Sequence, residues 1–253
     1  MSRTLSEADS KEFLAHFGVP FAPEILASDV SGAVDAADRV GLPVAVKLCG
    51  SNVSHKTERR LVRLNVTSVE DVRIAAEELL DAATEDDGAT GVLVAPMVGG
   101  SREFIAGLNR DDQFGMTILF GLGGVLAEAI ADVALRLVPI TRIDAMEMLE
   151  QLVTVSILDE FRGEPAVDRE SVVDVLMALS EAAQSHDDLV SVDINPLIIS
   201  NGRPVAVDAL VEVAHARGTD AAGAEVPEAD AAEADAAEAD AAEADAPGAE
   251  VTS

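Results

Sequence analysis

Only three lysines serve 253 residues, and two of them bound one short stretch: Lys47 ends the apolar run PVAVKL, and Lys56 follows His55 in the loop SNVSHKT. The third is Lys11, and fourteen arginines supply nearly all the remaining positive charge. An ammonium is a compact point charge that suits a phosphate oxygen, and arginine, a planar fork, does not replace it. Lys47 at a strand end reads either as a snorkelling surface residue or as a phosphate contact. His55 reads either as a surface loop residue or as a nucleophile able to carry a phosphoryl group on nitrogen.

A second group lies in DINPLIISNGRPVAVDA, residues 193 to 209. Asn201-Gly202 between two β-like runs signals a two-residue type I′ hairpin. Counting outward from that turn sets Ser200 opposite Arg203 and Asn195 opposite Asp208. The latter is a non-hydrogen-bonded pair, with Cα atoms about 4.5 Å apart. Asp193, two residues back, shares the face. Two carboxylates and an amide oxygen then converge, and these are the hard oxygen donors that Mg²⁺ takes alongside water and phosphate. An exposed polar hairpin face is the other reading. Pro196 lacks a donor where the ladder needs one, so local unpairing or a bulge is expected there. Gly121, Gly123 and Gly124 of GLGG provide backbone that can approach phosphate oxygens. Glu103 and Arg136 are ambiguous taken alone.

The elements that must hold these residues alternate. Ser6 with Asp9 forms a capping pattern for a helix over 6–17 that Gly18 can end, and Ser68 with Asp71 opens another through about 82. Further helices are expected over 31–40, 142–154 and 168–184. Strands are expected at 42–48, 61–66, 91–98, 102–108 and 115–124, and in DLVSVDI and RPVAVDAL. Residues 125–139 suit either a helix or two short strands broken near Ala131 and Asp132. The pattern is α/β (α+β) with two lobes: 1–95, then 96–216 with the candidate Mg²⁺-binding hairpin. From 217 to 253 the repeat EADAA brings eleven acids and one arginine, so this acidic tail carries −10 of the chain's −30 and is expected to be disordered.

The charge restricts function. With 47 acidic and 17 basic residues, there is no basic footprint to displace the counterions of nucleic acid or an anionic membrane. Molar salt would screen this self-repulsion, and a high-salt cytoplasm is the expected setting. No apolar run is long enough for a membrane span, the N-terminus lacks a signal-peptide core, and a lone cysteine, Cys49, fits a reducing cytosol. A cytoplasmic protein is expected.

In order, SEADSKEFLAHFGVP, PVAVKL, SHKT, GVLVAPMV, SREFIAG, RDDQFG, FGLGG, DVALRLVP, DINPL and AVDA resemble the ATP-grasp β subunit of ADP-forming acyl-CoA synthetases, relatives of the succinyl-CoA synthetase β subunit. The resemblance runs from about residue 5 to 213. It implies an ATP-grasp fold whose lobes clamp ADP or ATP. Lys47 would contact phosphates, while Val94, Ala95, Pro96, Met97 and Val98 would line the adenine pocket with backbone groups. Glu103 would position the nucleotide, the glycine loop and Arg136 would face the terminal phosphate, and Asn195 and Asp208 would bind Mg²⁺. The implied reaction turns acyl-CoA, ADP and phosphate into acid, CoA and ATP through an acyl phosphate and a phosphohistidine. The main phosphohistidine and the CoA-binding Rossmann domain belong to an α part that this sequence lacks, which implies a hetero-oligomer. His55 matches a second phosphate carrier, and Asp193, where succinate relatives carry glutamate, would orient the phosphoimidazole.

Two departures stand out. ERRL at 58 to 61 puts Arg59 and Arg60 where small residues and glycines are usual, either to bind an anion or acidic partner or to stiffen the loop. Pro96 replaces a frequent glutamate at the hinge. Acetyl-CoA is the leading substrate. The alternatives are a succinyl-type or other ATP-grasp ligase subunit, and a non-catalytic nucleotide-binding regulatory subunit, against which Lys47, Asn195 and Asp208 together argue.

Overall fold

The computed structural model describes residues 2–53, 56, 59–124 and 130–214. His55 and the repeat tail lie outside these, as do residues 125–129. Two antiparallel sheets account for the strands. The smaller contains β2 (Ile25–Ala27), β3 (Val44–Gly50), β4 (Val62–Val66) and β5 (Ala89–Pro96), in the order β2-β5-β3-β4. The larger contains β1 (Ser2–Thr4), β6 (Arg102–Asp111), β7 (Gly115–Leu122), β8 (Val133–Leu137), β9 (Leu189–Ser200), β10 (Arg203–Ala206) and β11 (Ala209–Ala214). Its order is β1-β11-β9-β6-β7-β8, with β10 also paired to β9.

Among the described residues, five α-helices cover the sheets: α1 (Glu7–Ala15), α2 (Val30–Val40), α3 (Val69–Asp81), α4 (Arg142–Glu150) and α5 (Arg169–Ser185). Each begins at a side-chain cap: Ser6, Asp29, Ser68, Thr141 and Asp168 accept a hydrogen bond from the backbone N–H three residues on. Such a cap contributes about 1 kcal/mol, and it explains why these boundaries were readable in the sequence.

Strand periodicity decides what each sheet buries. In β3, Val44, Val46 and Leu48 join Ala33, Ala37, Val72 and Leu79 in a core beneath α2 and α3. Ala45, Lys47 and Cys49 point to the opposite face. All seven residues of β3 are buried, so Lys47 lies inside the protein. On the larger sheet, Phe104, Ile118, Val192 and Ile194 pack with Leu149, Leu176 and Leu179 of α4 and α5.

Pro96 ends β5 and Arg102 begins β6, so the chain passes between sheets near the expected boundary. The first residues depart from a 1–95 division. β1 pairs with β11, and Leu14 and Val19 belong to the core of the larger sheet. An edge strand otherwise left with unpaired backbone groups gains a partner in this way. Within 125–139, the strand alternative holds for β8. β1 and β2 were not foreseen, because three residues are too few to show a period.

Candidate functional site

The hairpin holds the expected register. Ser200 stands opposite Arg203 and Leu197 opposite Ala206, and beyond a gap Ile194 faces Ala209 and Asp193 faces Leu210. The same offset on both sides sets Asn195 against Asp208 within the gap. Asn201 and Gly202 both take positive φ, 50° and 81°, as a type I′ turn requires. The gap follows from Pro196. Val207 N donates to Pro196 O at 3.1 Å, but proline has no N–H to return to Val207 O.

That carbonyl accepts from Lys47 Nζ instead, at 3.0 Å. The same ammonium donates to Glu7 Oε1 at 2.8 Å. Glu7 opens α1 and is 4 % exposed. It also accepts from Lys11 Nζ on Oε1 at 2.7 Å and from Lys56 Nζ on Oε2. Lys56 reaches on to Asp208, 3.2 Å from Oδ1 and 3.3 Å from Oδ2. Lys11 also donates to Glu24 at 2.6 Å. All three lysines of the chain therefore meet on one carboxylate, from α1, β3 and the loop after it, beside the segment that carries Asp208.

The electrostatics follow. Burial by itself would push Glu7 up, but the ammonium groups of Lys47, Lys11 and Lys56 outweigh it and hold the carboxyl well below its ordinary range. Burial opposes the charge on Lys11 too, and Glu7 and Glu24 more than offset it, so its value rises. At Glu24 burial prevails over Lys11 and the value rises. Desolvation, then the Asp208 carboxylate, push Asp193 up.

Among the described residues, no group of three or more Asp, Glu, His or Cys side chains forms a metal cage. The donor chemistry nonetheless fits a hard cation: Asp208 and Asn195 offer oxygens, and Asp208 already holds the ammonium of Lys56. Two protein oxygens completed by phosphate and water make an ordinary Mg²⁺ site.

The other expected residues divide. Glu103 faces Ile198 across the ladder, away from the helices, and its carbonyl accepts from Gly123 N at 2.8 Å. A Cβ on Gly123 would come within 2.9 Å of the Phe104 backbone, so the glycine loop needs its glycine in order to lie against β6. Gly124, at φ +73°, approaches the Glu103 carboxylate. In the hinge, Val94 and Ala95 pair with β3, and Met97 N donates to Pro43 O at 3.1 Å. Arg136 does not join the lysines. It sits opposite Ile118, a core residue, so it shares the helix-covered face, donates to Leu135 O and lies 3.7 Å from Glu147 of α4. The exposed face beside it forms a groove of about 710 Å³ with Ile105, Leu119, Leu135 and Asp193 in its walls.

Arg59 is taken up by the fold: it makes a two-pronged contact with the buried Asp87, at 2.6 and 2.9 Å. It therefore ties residue 59 to the short turn Glu85–Asp87 before β5. Glu7, Lys11 and Glu24 were not singled out in the sequence. The available signal was that Lys11 is one of only three lysines and stands four residues after Glu7.

Residues 1–213 match the family described as ATP-grasp domain. The chain is 36 % identical over 211 residues to acetate–CoA ligase [ADP-forming] II subunit beta of Pyrococcus furiosus, covering 81 % of this chain and 89 % of that protein. It is 35 % identical to acetate–CoA ligase [ADP-forming] I of Archaeoglobus fulgidus, covering 79 % of this chain but 30 % of that longer protein. It superimposes with a TM-score of 0.78 and 32 % identity on the Ca. Korarchaeum cryptofilum dinucleotide forming acetyl-coenzyme A synthetase 1 solved with coenzyme A, Ca-AMPCP and HgCl+. That match covers 83 % of this chain and 93 % of the other. No described helix is long and apolar enough to cross a membrane.

Proposed function

We propose, from the premise that this chain belongs to the ATP-grasp family, that it is the nucleotide-handling β subunit of an ADP-forming acyl-CoA ligase acting on acetyl-CoA. One observation carries the reading: both sheets deliver side chains to one place, Lys47 and Lys56 from the smaller and Asp208 with the Val207 carbonyl from the larger. Cations for phosphate oxygens and oxygen donors for a metal stand together there, and phosphoryl transfer needs little beyond such positioning and charge neutralisation.

In the nucleotide half-reaction, a phosphoryl group on a histidine nitrogen passes to ADP. The P–N bond breaks, its electron pair stays on the imidazole, which takes up a proton, and a P–O bond forms at the terminal oxygen of ADP. Lys47 holds the phosphates, with Lys56 beside it. Glu103 and the glycine loop border the nucleotide, and the hinge residues line the adenine. Asp193, whose proton affinity is raised, accepts a hydrogen bond from the incoming imidazole and orients it. Asn195 and Asp208 hold Mg²⁺, which when bound neutralises charge on the phosphate oxygens. His55 fits a second carrier of the phosphoryl group.

The acyl-CoA half-reaction falls to an α subunit. The relative named subunit beta is about the length of this chain, and the single-chain ligase extends far beyond the matched part, as a fused α portion requires. The test is to combine the chain with a candidate α subunit in about 1 M KCl, where screening is nearly complete. Acetyl-CoA, ADP, phosphate and Mg²⁺ are then supplied and ATP is measured. ATP formation should require α and fall by about a hundredfold or more in Asn195→Ala. His55→Ala reports on the second carrier. Mg²⁺-dependent ADP binding without any ATP would point to a regulatory subunit or another acid.

A further inference from the structure

We propose that Glu7 is a positioning residue for phosphate binding: its carboxylate, supplied by α1, fixes the ammonium groups of Lys47 and Lys56 for the nucleotide. The proposal rests on the reading above and assigns a part to a residue whose contacts are the three lysines. Its basis is geometric. Glu7 Oε1 takes Lys11 and Lys47, and Oε2 takes Lys56. Lys11 is committed to Glu7 and Glu24 and so backs the carboxylate from behind. Lys47 and Lys56 are instead held at two points each: Glu7 on one side, and Val207 O or Asp208 on the other.

Among the described residues Lys47 thus has two acceptors for three N–H groups, which leaves one for a phosphate oxygen. A lysine side chain has four rotatable carbons and, unrestrained, would lose much of its freedom on binding phosphate. Glu7 takes that cost at folding, before nucleotide arrives. Neither Lys47 nor Glu7 is accessible enough for water to do this work, since they are 5 % and 4 % exposed. The contact also joins the sheets: α1 packs on the larger one, and two of the three lysines on Glu7, Lys47 and Lys56, come from β3 of the smaller and the loop that follows it. A glutamine would keep the shape but supply one acceptor oxygen and a donor that repels an ammonium.

The test uses the complex with its α subunit and separates KM from kcat for each substrate. Glu7→Gln should raise KM for ADP by about tenfold or more while KM for acetyl-CoA stays within about twofold. Glu7→Asp, which keeps the charge one methylene short, should recover part of the ADP affinity. If Glu7→Gln does not fold, Glu7→Asp alone decides by the same split. Adding Glu7→Gln to Lys47→Ala should cost less ADP affinity than Glu7→Gln costs in the parent, since only Lys56 is then left for Glu7 to position. Unchanged ADP kinetics in the Glu7 variants, or an equal loss for both substrates, would overturn the proposal. The two readings fail differently. If Lys47→Ala leaves KM for ADP unchanged, phosphate binding by Lys47 is wrong, whereas an effect of Lys47→Ala without one of Glu7→Gln sinks only the role of Glu7.

Discussion

A lysine in the middle of a fully buried strand costs several kcal/mol unless it is paired, and Lys47 is tolerated because Glu7 and Val207 O take its ammonium. The same logic applies across the loop, where Asp87 is buried beneath Arg59. Hydrogen bonds from Arg59, then from the Thr84 backbone and hydroxyl, hold the Asp87 carboxyl well below its ordinary value of 3.8. A depressed carboxylate contributes stability that is complete above its unfolded value and is lost as pH falls through the folded one. Asp87→Asn should therefore be less stable than the parent near neutrality, with the gap narrowing below about pH 4 in denaturant titrations at several pH values. A gap that does not depend on pH would show that the pair contributes by packing alone. The scarcity of lysine made Lys47 and Lys56 legible from composition. Glu7 was hidden, because a glutamate just after a capping serine already has a local reason to be there, and its partners lie 40 and 49 residues away.

At the level of elements, turn chemistry was the most informative text. Asn201-Gly202 dictates a tight hairpin, which fixes the offset of every pair beyond it, and Pro196 dictates where pairing fails. The strand β8 misleads by the same rule. Val133, Leu135 and Leu137 alternate with Ala134 and Arg136, so the apolar set would be expected inside, yet all three are exposed and Arg136 turns toward α4. Which face a helix covers is decided by distant residues, and period alone does not reveal it. Arg102 shows how such an element is secured. Its guanidinium, 1 % exposed, donates to Ile157 O, Asp159 O, Pro165 O and the Glu164 carboxylate, pinning the segment before α5 to the start of β6. Arg102→Leu strands these acceptors, at about 1–3 kcal/mol for each that water does not reach, so a loss of about 3 kcal/mol is expected. Chemical denaturation should show the midpoint moving at constant slope. A change under about 0.5 kcal/mol would mean that the segment is held by its apolar contacts instead.

Charge governs the whole molecule. Among the described residues the last strand is β11, the family match ends at residue 213, and the repeat that follows in the sequence brings acid without an apolar stripe. A chain ending at Ala216 therefore keeps every residue of the candidate site while its net charge falls from −30 to −20. It should bind ADP and, with the α subunit, form ATP as the full chain does. Both chains should melt at higher temperature as KCl rises from 0.1 M to 1 M, because the screening length falls from about 10 Å to about 3 Å and self-repulsion fades. The full chain should gain more, since it has the greater repulsion to lose. Thermal melts of the two chains across that range, read beside ATP formation, separate the possibilities. Equal salt gains would mean that the tail's charge does not act on the folded part. Loss of ATP formation on truncation, with ADP binding intact, would assign residues 217–253 to contact with the α subunit. Loss of both would show that the fold depends on them. The acidic folded part would still favour high salt in each case, since −20 remains after the tail is gone.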